Sequence, residues 1–123
     1  MKPTLAILKA LADGNRLRIL AALLQAEELC ACQLIDLLGV SGATTSQHLT
    51  LLAQVGLVES RKQGRWNYFR LGPAYHQDAR LADWLRAALA ESPELAEDRG
   101  SLRGILCCPP ALIASRVRRT SCC

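Results

Sequence analysis

The chain has 123 residues, half of them apolar, which suits one compact domain with a hydrophobic core. Its longest apolar runs are interrupted by charged or amide side chains well short of about 18 residues, which excludes a transmembrane helix. The formal net charge of +4, from 15 Lys and Arg against 11 Asp and Glu, is too mild to indicate nucleic-acid binding by itself. We predict a soluble cytoplasmic chain with no membrane partner, since its first residues also lack the apolar stretch of a signal peptide.

Apolar residues at helical spacing predict five helices along the chain. The first begins near Pro3, a residue that favours the first turn of a helix, and is apolar on more than one side. The second covers residues 16–25, and the third carries two cysteines at its start and ends at Gly39. The fourth covers residues 43–55 after a tight turn, and the fifth and longest covers residues 74–91.

Two strand-like runs lie between the fourth and fifth helices, over residues 57–61 and 66–71, and the turn between them contains Gly64. This pattern predicts a β-hairpin. Beyond residue 92 the prolines, glycines and acidic residues break any long periodicity. We therefore predict that residues 1–91 form a folded domain for DNA binding and dimerisation, and that residues 92–123 form a flexible tail containing cysteines.

The fourth helix and the hairpin form a pattern typical of DNA-binding domains. Two helices are joined by a four-residue turn, the second of them is polar at its start, and a basic hairpin follows. A helix that enters the major groove presents its N-terminal Ser, Thr and Gln side chains to base edges. Basic side chains of a hairpin reach the flanking phosphates. We predict a mainly α fold with a small β-hairpin, a winged helix-turn-helix of about five helices and a two-stranded wing.

Two stretches, LADGNRLRILAALL and VSGATTSQHLTLLAQVGLVESRKQGRWNYFRL, resemble the ArsR/SmtB family of metal-responsive repressors, and the resemblance extends over roughly residues 5–90. It implies a homodimer whose first and last helices form the subunit interface. It also implies a double-stranded DNA operator of two half-sites related by dyad symmetry, from which the repressor is released when an ion binds. The residues that it places against the DNA are Thr44, Ser46 and Gln47 at the bases, His48 near the backbone, and Arg61, Lys62, Arg65 and Tyr68 in the wing.

The six cysteines occur as three close pairs. Such pairs in a cytoplasmic chain favour soft-ion or redox chemistry over a disulfide framework. The stretch ELCACQL, which contains the first pair, resembles the ELCVCDL box of the arsenic- and cadmium-sensing branches of the family. Ile35 stands where the arsenic branch has a third cysteine, so a further thiol must come from elsewhere. The three pairs are Cys30 and Cys32, Cys107 and Cys108, and Cys122 and Cys123.

Trivalent arsenic and antimony bind three thiolates in a pyramid, and soft sulfur selects against Mg(II) and Ca(II). The resemblance therefore implies As(III) or Sb(III) as the inducer and no organic cofactor. Cys30 and Cys32 would supply two ligands, and Cys107 or Cys108 the third, from the same subunit or from its partner. A tetrathiolate site for Cd(II) or Pb(II) and a separate two-thiol site for methylated arsenite stay open.

The spacing of the first pair suggests how an ion acts on DNA binding. In a regular helix, residues two positions apart lie about 200° apart around the axis. If Cys30 and Cys32 are both helical, they cannot bind one ion unless the first turn unwinds. We therefore predict that ion binding distorts this turn and releases the operator, and that the helix N-terminus lowers the pKa of both thiols.

Three rival functions remain, and one of them, a pure metal-buffering protein, is opposed by the DNA-reading half of the chain. A repressor with the same DNA-binding fold would sense thiol oxidation in place of an ion, so that peroxide releases the DNA. A small thiol redox enzyme using Cys107 and Cys108 has less support, because the chain has no Cys-x-x-Cys on a thioredoxin-like βαβ pattern and no phosphate-binding loop. We predict that the chain is not an enzyme.

Overall fold

The structure, a computed structural model, describes residues 2–106. Within this range the chain forms seven helices and one three-stranded sheet. None of the described helices is both long and apolar enough to cross a membrane. In chain order the elements are α1 (Lys2–Leu11), α2 (Gly14–Gln25), β1 (Leu29–Cys30), α3 (Ala31–Leu38), α4 (Gly42–Gln54), β2 (Val58–Gln63), β3 (Trp66–Leu71), α5 (Pro73–His76), α6 (Ala79–Ala90) and α7 (Glu94–Leu106).

Side-chain caps set the starts of three helices. The Asp13 carboxylate caps α2 and the Ser41 hydroxyl caps α4, each accepting hydrogen bonds from backbone N–H groups of the first turn. Asp78 caps α6 in the same way, which is why the predicted helix over residues 74–91 is divided into α5 and α6. Gly39 ends α3 with a φ of +69°, a left-handed conformation that glycine adopts without strain.

The sheet has one more strand than the sequence predicts. The strands β2 and β3 form the expected antiparallel hairpin, and β1 adds to the other edge of β3 in the order β1-β3-β2. In this pairing Leu29 lies opposite Phe69 and Cys30 lies opposite Tyr68. A strand of two residues is too short to show an alternation of apolar and polar side chains, so the sequence does not indicate it. The first cysteine of ELCACQL is therefore a strand residue of the wing sheet.

The core of the helix-turn-helix lies between α2, α3 and α4. Leu20 of α2, Leu34 of α3 and Leu52 of α4 are fully buried in it, and burying each such side chain stabilises the fold by about 1.5–3 kcal/mol. Thr45 of α4 is also fully buried, and its hydroxyl donates to the Ser41 carbonyl oxygen at 3.0 Å. This inward face of α4 leaves its opposite face directed to solvent.

Helix α7 occupies a segment that the sequence predicts to be flexible. Its apolar residues Leu95, Leu102 and Ile105 are buried, and the helix packs against α2 and α3. Arg18 of α2 donates to both carboxylate oxygens of Asp98, at 2.7 and 3.0 Å. The prediction of a tail that is flexible from residue 92 is therefore wrong for α7. One apolar face and one ion pair hold this helix in place. Its two glycines interrupt the helical pattern in the sequence, which is why the helix is not predicted.

Candidate nucleic-acid interface and thiol site

Helix α4 presents a polar face to solvent. The predicted base-contacting residues Ser46 and Gln47 are exposed on it, and Thr50 and Gln54 are exposed further along the helix. Thr44 is half-buried, and its hydroxyl oxygen accepts a hydrogen bond from the capping serine at 2.9 Å. The predicted contact set omits Thr50 and Gln54, although the helical spacing of Thr50 from Ser46 would have indicated the first of them.

A groove of about 480 Å³ lies between α4 and the sheet. Ser46 and Thr50 line it from the helix, and Ser60 of β2 and Asn67 of β3 line it from the sheet. Uncharged polar side chains thus face the groove from both sides, an arrangement suited to hydrogen bonding with nucleic acid. The sequence gives no signal for the two sheet residues, because their place depends on how the hairpin packs against α4.

His48 contacts a neighbouring helix. Its Nδ1 atom is 3.3 Å from Nη1 of Arg16, whose Nε donates to the Ala10 carbonyl oxygen at 2.7 Å. Arg16 therefore links the end of α1 and the start of α2 to α4. The structure gives His48 this contact within the protein, and the predicted contact with the DNA backbone stays a prediction.

The four cationic side chains of the wing fall into two kinds. Two are held in ion pairs by carboxylates, and two form no ion pair within the described residues. The paired cations are Arg61, with Glu28, and Arg70, with Glu59, and the other two are Lys62 and Arg65. The side chain of Arg65 lies over the Trp66 ring, 5.1 Å from its centroid. Positive charge available to phosphates is therefore concentrated near the turn of the hairpin.

Three side chains hold Arg61. Its Nε and Nη2 donate to the two carboxylate oxygens of Glu28 at 2.7 and 2.5 Å, and its Nη1 donates to Oε1 of Gln63 at 2.7 Å. The guanidinium also lies 4.8 Å from the centroid of the Tyr68 ring. The hydrogen-bonded ion pair lowers the pKa of the Glu28 carboxyl and raises the pKa of Arg61. The predicted wing residues Arg61 and Tyr68 thus meet each other and Glu28, a residue that sequence reasoning misses.

Cys30 ends β1 and is the N-cap of α3, whose first helical residue is Ala31. The φ of −71° and ψ of 151° at Cys30 are extended, because the residue pairs with Tyr68 in the sheet. The prediction that both cysteines are helical is therefore wrong. Cys32 alone lies in the first turn of α3, and an ion bound by both sulfurs would join the last strand residue to the helix.

Both cysteines are fully buried, at 0% exposure. Burial raises the pKa of the Cys30 thiol, although the backbone N–H groups of Cys32 and Gln33 act in the opposite direction by favouring the thiolate. Oε1 of Gln33 also accepts the Cys30 backbone N–H at 2.8 Å and closes a capping box. The predicted lowering of the thiol pKa by the helix N-terminus is wrong for Cys30, because desolvation outweighs the N–H groups.

Cys32 is disulfide-bonded, whereas Cys30 keeps a titratable thiol. Over residues 2–106 no three or more His, Cys, Asp or Glu side chains are grouped so as to hold a metal ion. When Cys32 is reduced, the described residues contribute two thiol sulfur atoms to the predicted site, and sulfur donors fit a thiophilic ion such as As(III) or Cd(II). The remaining cysteines lie outside the described residues, namely Cys107, Cys108, Cys122 and Cys123.

Comparison with known proteins agrees with this geometry. The family model described as bacterial regulatory protein, arsR family, matches residues 13–60. The arsenic resistance transcriptional regulator ArsR1 of Pseudomonas putida is 33% identical over 100 residues, which cover 74% of this chain and 78% of that protein. The cadmium resistance transcriptional regulatory protein CadC of Listeria innocua is 44% identical over 61 residues, covering 50% of this chain and 51% of that protein. A solved homodimeric winged helix-turn-helix DNA-binding domain, Mb0332 of Mycobacterium bovis, matches with a TM-score of 0.62 and 32% identity, covering 75% and 82%.

The fold is that of a winged helix-turn-helix domain, and the similar proteins are transcriptional regulators. The chain belongs to the ArsR family of bacterial regulatory proteins. It spans about half the length of the first curated relatives that it matches. The relatives are named for arsenic resistance and for cadmium resistance, so family membership defines the class of regulator but not its ion.

Proposed function

We propose that this regulator is a homodimeric repressor that releases a dyad-symmetric DNA operator when As(III) or Sb(III) binds its cysteine thiolates. The observation that carries the proposal is the position of the first cysteine pair. Cys30 ends a strand of the wing sheet, and Cys32 lies in the first turn of α3, the helix that precedes the DNA-reading helix. An ion bound by both sulfurs would therefore act where the wing and the helix-turn-helix meet.

Operator binding is supported by the polar face of α4 and by the unpaired cations of the wing. Ser46 and Gln47 offer exposed hydrogen-bonding groups for base edges in the major groove. Lys62 and Arg65 offer positive charge for the flanking phosphates. Two copies of such a unit, related by a two-fold axis, bind half-sites separated by about one turn of DNA, roughly 34 Å.

Dimer formation is supported by large apolar side chains that stay exposed on two helices. Leu5 and Leu8 of α1 are 48% and 58% exposed, and Trp84 of α6 is 61% exposed. Covering such side chains with a second copy removes apolar surface from water, which contributes about 25 cal/mol per Å². The Mycobacterium bovis domain is described as homodimeric. We propose that α1 and α6 form the subunit interface.

The inducing ion is proposed from the chemistry of the donors. When neutral arsenous acid binds, three As–O bonds are replaced by three As–S bonds, and the thiol protons leave in three water molecules. Cys30 and Cys32 supply two of the thiols, and Cys107 or Cys108 supplies the third. Because a cadmium resistance regulator is among the relatives, Cd(II) bound through the same cysteines is the direct competitor.

The test is a fluorescence anisotropy titration of labelled operator DNA with the reduced protein, in which arsenite is added to the preformed complex. We expect arsenite to release the wild-type protein. We expect Cys30→Ser and Cys32→Ser to bind the operator as tightly as the wild type and to lose the release, because neither side chain lies on the polar face of α4 or in the cationic turn of the wing.

A matched control is Ala31→Ser, which adds a hydroxyl to the same buried turn while keeping both thiols. This variant should be released by arsenite like the wild type. Release that persists when Cys30 and Cys32 are both replaced by serine would contradict the proposal. Release by Cd(II) but not by arsenite in the wild type would support the cadmium alternative.

The disulfide at Cys32 favours a second candidate, a repressor that senses thiol oxidation. In that case two thiols lose two electrons and two protons to an oxidant such as peroxide, and the operator is released with no ion present. Peroxide that releases the DNA, with binding restored by a dithiol reductant, would support this candidate. Under constant reduction, only the ion-sensing repressor is released by arsenite.

A further inference from the structure

The ion pair between Glu28 and Arg61 connects the cysteine stretch directly to the wing. Glu28 lies two positions before Cys30 in the sequence. Arg61 lies in β2, 33 positions after Glu28. Both carboxylate oxygens of Glu28 accept hydrogen bonds from the guanidinium. A carboxylate bound in this two-point manner occupies the donors that Arg would otherwise offer to a phosphate.

Strand pairing in the sheet is a second connection between the cysteine stretch and the wing. Tyr68 of β3 pairs with Cys30 on one side and with Arg61 on the other. The Arg61 guanidinium also lies over the Tyr68 ring, at 4.8 Å from its centroid. A shift of the residues around Cys30 would therefore move both the carboxylate that holds Arg61 and the strand against which Arg61 packs.

A second ion pair on the wing provides a comparison. Glu59 of β2 pairs with Arg70 of β3 through a single short contact of 2.6 Å, entirely within the hairpin. The Arg70 side chain is 54% exposed and the Glu59 side chain 43% exposed, whereas the Glu28 side chain is only 21% exposed. Both pairs place a carboxylate beside a wing arginine, but only the pair at Glu28 leads back to the cysteines.

We infer that Glu28 is a positioning residue that withholds Arg61 from the operator and links the thiol site to the wing. A DNA phosphate and the Glu28 carboxylate compete for the same guanidinium. An ion held by Cys30 and Cys32 fixes the neighbouring residues in the paired geometry and thereby favours the state that binds DNA less tightly. The second half of this inference rests on the proposed release by an ion, whereas the competition for Arg61 rests only on DNA binding.

The test is Glu28→Gln in the full chain, with operator affinity measured as a function of salt and of arsenite. Because Arg61 gains a phosphate contact, we expect the affinity at low salt to rise by about fivefold and the slope of log K against log salt to steepen by about 0.9. We also expect the factor by which arsenite weakens operator binding to fall by about fivefold, since a coupling through this residue is lost.

The matched control is Glu59→Gln, which changes the net charge equally and frees Arg70 on the same hairpin. It should leave the factor by which arsenite weakens operator binding within about twofold of the wild type. The change Glu28→Gln in an Arg61→Gln background should no longer tighten operator binding, because the competing guanidinium is absent. Thermal unfolding of each variant verifies that these substitutions leave the fold intact.

Two results would overturn the inference. One is an unchanged salt slope in Glu28→Gln, and the other is an arsenite effect that Glu28→Gln and Glu59→Gln alter equally. If neither arsenite nor Cd(II) releases the wild type, the proposed function fails and the link to the thiols fails with it. The salt slopes of Glu28→Gln and the double variant then still decide whether Glu28 competes with DNA for Arg61.

Discussion

Cys30 is both a strand residue of the wing sheet and a residue of the candidate thiol site. Its backbone belongs to the wing sheet opposite Tyr68, and its buried sulfur lies at the start of α3. Because burial raises the pKa of this thiol, the sulfur stays protonated at neutral pH until an ion displaces the proton. The proton balance of the site therefore differs between the two competing inducers.

We predict that release by Cd(II) depends on pH and that release by arsenite does not. Cd(II) binding expels thiol protons, so below the raised pKa its affinity should increase by up to about tenfold per pH unit for each proton released. Arsenous acid takes up the thiol protons as water, so its binding equilibrium should change little. The midpoint of operator release, measured between about pH 6.5 and about pH 8 under reduction, distinguishes the two ions.

The Cys30→Ser variant is the control for this measurement, because it removes the buried thiol that titrates. Its residual response to Cd(II), if any, should have a shallower pH dependence than that of the wild type. Arsenite and Cd(II) midpoints that shift in parallel with pH would contradict this difference in proton release.

At the residue scale the sequence indicates the chemistry better than the contacts. The spacing of Cys30 and Cys32 and the family resemblance indicate a thiol site, but they give no sign that Cys30 is a strand residue. The ion pair between Glu28 and Arg61 spans 33 positions and depends on β1 joining the sheet, so no local pattern reveals it. The direction in which the pKa of Cys30 shifts likewise cannot be read from the sequence. It depends on burial, which raises the pKa, and on nearby backbone N–H groups, which lower it.

Among the secondary-structure elements, α7 is the longest one that the sequence misses. The helix packs against both α2 and α3, and Arg18 of α2 pairs with Asp98 of α7. The same guanidinium donates to the Leu37 and Leu38 carbonyl oxygens at the end of α3. The cysteines that follow α7 in the chain are thus attached to a helix that packs on the helix-turn-helix.

We predict that Leu102→Ala destabilises the fold by about 2–5 kcal/mol, the range found when a buried leucine is truncated and a cavity is left. Leu102 is only 2% exposed, between α7 and the helices on which it packs. The free energy of unfolding, measured by urea denaturation of the reduced protein, provides the check.

The control on the same helix is Leu106→Ala, whose side chain is 48% exposed. Truncating it should change the free energy of unfolding by less than about 1 kcal/mol. Equal, small effects of the two changes would mean that α7 does not contribute to the cooperative core, and the boundary predicted near residue 92 would then be restored.

The sequence predicts the elements that have strong apolar periodicity and capping residues, and it misses the elements that lack them. The helices α2 and α4 have clear apolar spacing and side-chain caps at Asp13 and Ser41, and their existence is confirmed. The strand β1 is too short to show alternation, and α7 owes its place to packing rather than to local propensity. Tertiary contacts thus determine both β1, which ends at Cys30, and α7, which ends one residue before Cys107 in the sequence.

At the scale of the whole molecule, the thiol site, the wing and the helix-turn-helix share one junction. Residues 28–30 lead from the Glu28 ion pair through β1 into α3, and α3 packs directly against α4. An ion at this junction can alter operator affinity only to the extent that it binds the two states of the protein differently. A coupling of about 1–3 kcal/mol, typical of allosteric proteins, would weaken operator binding by about 5- to 150-fold.

We propose that the sulfurs of Cys30 and Cys32 bind the ion responsible for release. The most direct measurement is an arsenic X-ray absorption spectrum of the reduced protein, recorded on the same sample from which arsenite has released the operator. We predict that arsenic is surrounded by three sulfur atoms in the wild type and that protein-bound arsenic is lost in the Cys30→Ser/Cys32→Ser double variant. Operator release accompanied by arsenic in a purely oxygen environment, or an identical sulfur signal in the double variant, would contradict the account.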